Sequence, residues 1–145
     1  MVASAVLFFS FGWTSLLSAK DAVYRPEVVS KKVLSTNTTA TGEALVYPVT
    51  DHPEVTGLEV VIPPGGETGW HRHPVAGFAY VISGELTLLY EGKARRVFGA
   101  GEAFAEAVRT AHNGRNLGKL PVRLVAFFLG QSGSPVAETV TPVPR

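Results

Sequence analysis

The chain has 145 residues, 46% of them hydrophobic and 17% charged, with a formal net charge of +1. That length suits one domain with a real core, and the composition argues against disorder. Lys31-Lys32 and Arg95-Arg96 are the only basic doublets, so there is no electrostatic case for nucleic acid; the absence of cysteine excludes disulfides, thiolate ligands and a cysteine nucleophile, and leaves nitrogen and oxygen to hold any metal.

Residues 1–19 carry no charged side chain and include Ala5-Val6-Leu7-Phe8-Phe9 and Leu16-Leu17; charges begin at Lys20-Asp21. The segment reads as the apolar core of a secretory signal, with Ser18-Ala19 near a plausible cleavage point, and implies a periplasmic or secreted protein. No Lys or Arg precedes it, and Leu17 is not the small residue usual three positions before a cut. An uncleaved membrane anchor is the alternative, because about 18–20 apolar residues can just span a bilayer. Residues 20–43, with β-branched pairs and polar threonines, are expected to form an edge strand or an arm on a partner subunit. Asn37-Thr38-Thr39 has the form of a glycosylation acceptor, which matters only in a eukaryotic secretory route.

From residue 44 to 130 the chain reads as strands. Glu43 to Tyr47 and Leu58 to Ile62 are β-rich runs bounded by Pro, Gly and Asp. Phe78 to Ile82 runs into the turn Ser83-Gly84, then Glu85 to Tyr90, the turn Glu91-Gly92, Ala94 to Phe98 and the turn Gly99-Ala100-Gly101. Ala103 to Glu106 and Ala111-His112 flank a loop, and Pro121 to Leu129 is a last long apolar run. Strands at such short spacing, with no sustained helical period, mark an all-β sandwich or barrel. The tail from Gln131 to Arg145, with Pro135, Pro142 and Pro144, reads as irregular.

His71-Arg72-His73 is led in by Pro63-Pro64-Gly65-Gly66 and followed 39 residues later by His112, leaving His52 as the only histidine outside the group. On a strand, His71 and His73 share one face, with Trp70 and Arg72 on the other. Neutral imidazole is the commonest metal ligand, so the pair is half a metal site. If Val108-Arg109-Thr110 is a three-residue loop, Glu106 stands opposite His112 on the same face. Three nitrogens and one oxygen would then suit a divalent first-row metal. Considered singly, each of these residues has a plain structural explanation as a hydrogen-bonded or solvent-exposed side chain; their combination is what points to a site. Neither a Ser-His-Asp arrangement nor a glycine-rich phosphate loop is present.

The run Gly65-Gly66-Glu67-Thr68-Gly69-Trp70-His71-Arg72-His73, followed by Gly84, resembles the first motif of the cupin superfamily. Gly101, His112 and Asn116, spaced eleven and four residues apart, resemble its second motif, and Tyr80 to Leu86 is similar to the run after the family's metal ligands. The resemblance implies a double-stranded β-helix, the jelly-roll cupin barrel, over residues 44–130, with the three histidines inside its mouth. It also implies a homodimer. Three positions depart from the pattern. The glutamate usual three or four residues after the second histidine is replaced by Gly77 and Phe78, and the second motif's proline and glycine correspond to Ala107 and Arg109. Three-histidine cupins acting on thiols or diketones show that loss of the glutamate need not abolish metal binding.

The expected ligands are therefore His71, His73 and His112, with Glu106 or water as the fourth, holding Fe, Mn, Ni, Cu or Zn. Trp70 could cap the entrance, Ala79 could leave room inside the barrel, and Arg109 could attract an anionic ligand; packing or exposure is the alternative role for each. Phe78 and Tyr80 are expected to be packing or interface aromatics, and Asn116 to fix the loop after His112. Two functions remain open: a metal-dependent, dioxygenase-like enzyme acting on a small molecule, or a non-catalytic exported cupin that binds or senses a small molecule or metal.

Overall fold

The computed structural model describes residues 24, 25 and 27–141. The expected signal or anchor over 1–19, and Pro142 and Pro144 of the tail, lie outside the described residues. The chain divides into one unit up to Lys31 and a second from Lys32 onward. In the first, Tyr24, Arg25 and 27–31 form no strand, and the Val28 N–H donates to the Arg25 carbonyl at 2.9 Å.

Among its described residues the second unit has no helix and nine strands: β1 (Pro53–Ile62), β2 (His71–Arg72), β3 (Ala76–Ser83), β4 (Glu85–Tyr90), β5 (Lys93–Gly99), β6 (Ala103–Ala105), β7 (His112–Arg115), β8 (Val122–Gln131) and β9 (Glu138–Thr139). A four-stranded sheet has the order β1-β8-β3-β6 and a five-stranded sheet the order β5-β4-β7-β2-β9. Every ladder between these strands is antiparallel. The chain passes from one sheet to the other between β1 and β2, between β2 and β3, at Gly84, at Gly99–Gly101, and between β6 and β7. It crosses again between β7 and β8 and between β8 and β9, so the two sheets face each other as an all-β jelly-roll barrel.

Alternation decides what fills the barrel. On β1, Leu58, Val60 and Ile62 are paired with Ala126, Leu124 and Val122 of β8, and all six side chains face inward. On β3, Gly77, Ala79 and Val81 share that inner face, paired with Phe128, Ala126 and Leu124. The facing sheet contributes Leu86, Leu88 and Tyr90, all buried. Phe98 and Phe104 stack at 4.1 Å at one end of this core. The turn between β3 and β4 requires glycine: Gly84 has φ +78°, and a Cβ there would stand 2.8 Å from the Pro121 carbonyl oxygen.

Three expectations need correction. The run Glu43 to Tyr47 forms no strand: its pairing stops at an isolated bridge between Ala44 and Thr38, flanked by the Thr39 N–H donating to the Glu43 carbonyl at 2.8 Å and the Leu45 N–H to the Asn37 carbonyl at 2.9 Å. The 20–43 arm forms no edge strand among its described residues; the Ala40 N–H donates to the Ala105 carbonyl at 2.8 Å, and Glu43 pairs with Lys93. The tail is not wholly irregular, since Glu138 and Thr139 pair with Arg72 and His71 as β9. The prolines that mark it as a loop flank the short strand and do not interrupt it.

Asn116 ties the β7–β8 crossover to the lead-in before β2. Its buried Nδ2 donates to the carbonyls of Ile62 (2.9 Å) and Leu120 (2.8 Å), and its Oδ1 accepts from the Gly118 N–H at 2.9 Å. Its main chain adds reciprocal bonds with Gly65 and Gly66, at 3.0 Å each. Asn116→Ala should cost about 2–4 kcal/mol in urea denaturation, because each buried partner left unpaired costs ~1–3 kcal/mol. A loss below about 0.5 kcal/mol would contradict this role.

Candidate metal centre

The pattern His-x-His works here even though β2 is only two residues long. His71 lies in the sheet between His112 of β7 and Thr139 of β9. Arg72 points out and pairs with Glu138 at 2.8 Å. His73 follows in extended backbone, bridged to Val108, and its carbonyl accepts from the Arg109 N–H at 2.8 Å. Directly paired His71 and His112 face the same way, and alternation returns His73 to that face. The three rings gather with centroids 4.5 Å apart for His71–His112, 4.9 Å for His71–His73 and 5.0 Å for His73–His112.

Each ring is oriented by a main-chain carbonyl. His71 Nδ1 bonds the Gly69 oxygen at 2.8 Å, His73 Nδ1 the Val136 oxygen at 2.7 Å, and His112 Nδ1 the Thr110 oxygen at 2.9 Å. A carbonyl oxygen only accepts, so each Nδ1 carries the proton and each Nε2 keeps its lone pair. Such bonds are the usual way a ligating imidazole is held in one tautomer. Burial holds His73 down to about 3 and His112 down to about 4, so both are neutral at pH 7. The ligating nitrogens of the three lie within 4.8 Å of one another, and the group could hold a metal ion.

Glu106 joins them from the other sheet. Its side chain is buried, and Oε2 stands 3.8 Å from His112 Nε2, too far for a hydrogen bond. Oε2 has no hydrogen-bond partner, and burial lifts the carboxyl to about 7. A buried carboxylate oxygen without a partner is costly, whereas a shared cation between it and the imidazoles would satisfy it. The three imidazole nitrogens therefore fit a divalent metal, with the partnerless Glu106 oxygen beside His112. The expected route to this meeting was a hairpin, and that is corrected: β6 and β7 lie in different sheets. His112 is paired with Tyr90 and His71, and the Glu106 N–H donates to the Gly77 carbonyl at 2.8 Å. Glu106 and His112 meet across the barrel interior and not across a ladder.

Gly77, where the resemblance calls for a carboxylate, has no room for one. A Cβ there would lie 2.5 Å from the Phe128 ring and 3.2 Å from Glu106 Cγ. Phe128 in turn packs against His73, with centroids 4.5 Å apart. Glu106 and Phe128 thus occupy the space that a side chain at position 77 would take.

Above the histidines and Glu106 opens a cavity of about 430 Å³, walled by Val60, Ile62, Leu86, Leu88 and Leu124 among others. Val136, Ala137 and Thr139 of the tail also line it. Nothing local in the sequence marks these three, because only pairing with β2, more than sixty residues away, brings them there. Trp70, Ala79 and Arg109 are not among the lining residues. Trp70 is half-buried beside β9, its carbonyl accepting from the Val140 N–H at 3.1 Å. Ala79 is packed in the four-stranded sheet between Phe104 and Ala126. Arg109 is exposed at the loop tip in left-handed backbone, φ 62°, a conformation uncommon for a residue other than glycine.

Residues 58–128 match the family model for a cupin domain. No curated protein matches the chain. Among solved structures, the chain is similar to the DMSP lyase DddQ of Ruegeria pomeroyi, at 21% identity and a TM-score of 0.54, covering 63% of this chain and 45% of that one. It is similar also to an oxalate decarboxylase of Lactobacillus farciminis, at 21% identity and a TM-score of 0.52, covering 59% of this chain and 26% of that one. The oxalate decarboxylase of Bacillus subtilis, which contains Mn(II) centres, is 20% identical with a TM-score of 0.51, over 59% of this chain and 24% of that one. The chain thus spans less than half the length of these three structures, and the likeness is one of fold. Residues 58–128 are thus a cupin domain, of the same fold as these structures.

Proposed function

We propose that the protein is a mononuclear metal-dependent cupin acting on a small molecule, with dioxygenase-like oxidation as the reaction class. The observation that carries this reading is the convergence of three Nδ1-protonated histidines beneath a cavity of about 430 Å³. His71, His73 and His112 would hold the metal, and Glu106 would take a fourth position. A bound divalent metal supplies Lewis acidity and, for iron, manganese, nickel or copper, one-electron chemistry. The chain's own residues do the remainder. The imidazoles keep their lone pairs directed inward, the Leu and Val walls limit water, and the cavity leaves a small molecule direct access to the histidines. If it is not a ligand, Glu106 accepts a proton from the substrate instead.

A second reading, non-catalytic capture, rests on one observation. Apart from the histidines, Glu106 is the only ionisable side chain in the lining, so a ligating Glu106 leaves no proton acceptor there. Oxygen uptake by the iron-loaded protein across thiols, diketones and phenols separates the two. Turnover of one class upholds the enzyme. Ligand-induced thermal stabilisation without turnover in the iron, manganese, nickel and copper forms would favour capture. Calorimetric titration should give one metal per chain. His73→Ala should weaken that binding by more than about tenfold, and Glu106→Gln by about 10–100-fold, the range for groups that orient or tune metal ligands. An unchanged affinity in His73→Ala would remove the metal from the reading.

We also read the protein as a homodimer through the outer face of the four-stranded sheet. Val61, Tyr80, Ile82 and Phe127 are exposed there, on three adjacent strands. Phe127→Lys should shift sedimentation from dimer to monomer, and a monomeric wild-type chain at micromolar concentration would refute the reading.

The metal-free protein should show a stability maximum near pH 6.5. His73 and His112, at about 3 and 4 when folded, are lowered from 6.5, so the unfolded chain binds more protons below pH 6.5. Their contribution is complete above 6.5 and is lost as pH falls. Glu106, raised from 4.5 to about 7, acts in the opposite sense: the folded state binds its proton longer, and this contribution fades as pH rises from 4.5 to 7. Two imidazoles outweigh one carboxyl between 4.5 and 6.5. Melting temperatures should therefore rise over that range, and more steeply in Glu106→Gln. A melting temperature independent of pH from 4.5 to 7 would contradict the burial of these groups.

A further inference from the structure

The cavity has a chemical character that the metal reading alone does not specify. Its lining contains no lysine or arginine, and its ionisable side chains are the three histidines and Glu106. Nearby arginines are engaged elsewhere by partners on the outer surface: Arg72 by Glu138, Arg115 by Glu67, and Arg123 by Glu59. The wall above the histidines is hydrocarbon, from Leu58, Val60 and Ile62 on one sheet, Leu86 and Leu88 on the other, and Val136 from the tail. Thr68 has its hydroxyl bonded to the Gly69 carbonyl and the Gly114 N–H, which removes it as a free anchor for a ligand.

The lining offers no lysine or arginine to pair with a second negative group, so the far carboxylate of a small dicarboxylate bound at the histidines would stand among leucines and valines, and a buried charge without a partner is costly. Size is bounded as well. At ~30 Å³ per water, the volume of about 430 Å³ is that of about fourteen waters, within the ~300–1,000 Å³ of small-molecule sites.

We propose that the cavity selects an uncharged small molecule of about a dozen non-hydrogen atoms, with one polar end at the histidines and a hydrocarbon body against Leu58, Val60, Leu86 and Leu88, and that it rejects dicarboxylates. The proposal rests on the cavity being the substrate site of the metal-dependent reading. Arg109, outside the lining, plays no part in it. Leu58 is the selectivity position that can be changed with least risk to the fold, because it lines the cavity on an edge strand and is 40% exposed.

The test uses cyclohexyl methyl ketone and succinate as probes. Each is titrated into the metal-free and zinc-loaded full chain, followed by calorimetry and by the methyl resonances of Leu, Val and Ile. The ketone should bind at least about tenfold more tightly than succinate and shift the methyls of Leu86, Leu88 and Ile62. Leu58→Lys should reduce that preference by about tenfold or more, while Leu58→Met should preserve it. Succinate binding equal to or tighter than the ketone in the wild-type chain overturns the proposal. So does a zinc-loaded chain that binds neither probe, an outcome that leaves the metal reading standing. Ketone uptake with the same methyl shifts, in a chain that fails to bind zinc, upholds the apolar selectivity and removes the metal reading.

Discussion

Three hydrogen bonds from imidazole Nδ1 atoms to main-chain carbonyls are the constraint on which the site depends. A carbonyl cannot donate, so it fixes which nitrogen of the neutral ring carries the proton and leaves the other to ligate. Two of the acceptors, Gly69 and Thr110, stand two residues before the histidine they orient, and the local chain alone sets those rings. The third, Val136, comes from the tail, so His73 owes its orientation to tertiary structure. Three lone pairs directed to one point would be unfavourable if each could turn away. The carbonyls remove that freedom, which is what preorganised metal sites require of their surroundings.

The second organising feature is an exchange of volume between neighbouring strands. Gly77 contributes no side chain, and Phe128 and Glu106 fill the space it leaves. A carboxylate is thus present near the imidazoles, but it is supplied by the segment following β6 and not by β3. Because Phe128 also contacts His73, the same ring that bars a larger residue at position 77 helps to seat a histidine. The glycine, the aromatic ring and the carboxylate form one packing solution, and replacing any of them alone would disturb the other two.

How much of this was legible in the sequence divides along physical lines. The convergence of His71 and His73 follows from strand alternation alone, which is local and does not depend on what lies across the sheet. The barrel was legible for the same reason, since most runs between Leu58 and Leu129 carry their own turn signals. Glu106 was found by a mistaken route, because its meeting with His112 depends on a crossover between sheets that no hairpin rule describes. Glu43 to Tyr47 carry β-rich chemistry, but their pairing with Asn37 to Thr39 ends within a short turn, and propensity without a sustained ladder makes no strand. Val136, Ala137 and Thr139 were illegible because their place depends on pairing with a strand more than sixty residues earlier. Trp70 and Arg109 were singled out by nearness to ligand motifs, yet on a strand the immediate neighbour of a ligand faces the opposite way.

The bond from His73 to Val136 spans 63 residues and therefore has a consequence in time. During synthesis, His71, His73 and His112 all emerge before the residue that orients the middle one. A chain released short of Val136 would contain every proposed ligand and still lack the preformed site. Appearance of Val136, and not of the last histidine, is the event that lets all three imidazoles be oriented together. The tail thus postpones the fixed arrangement of the three imidazoles until it has itself been made.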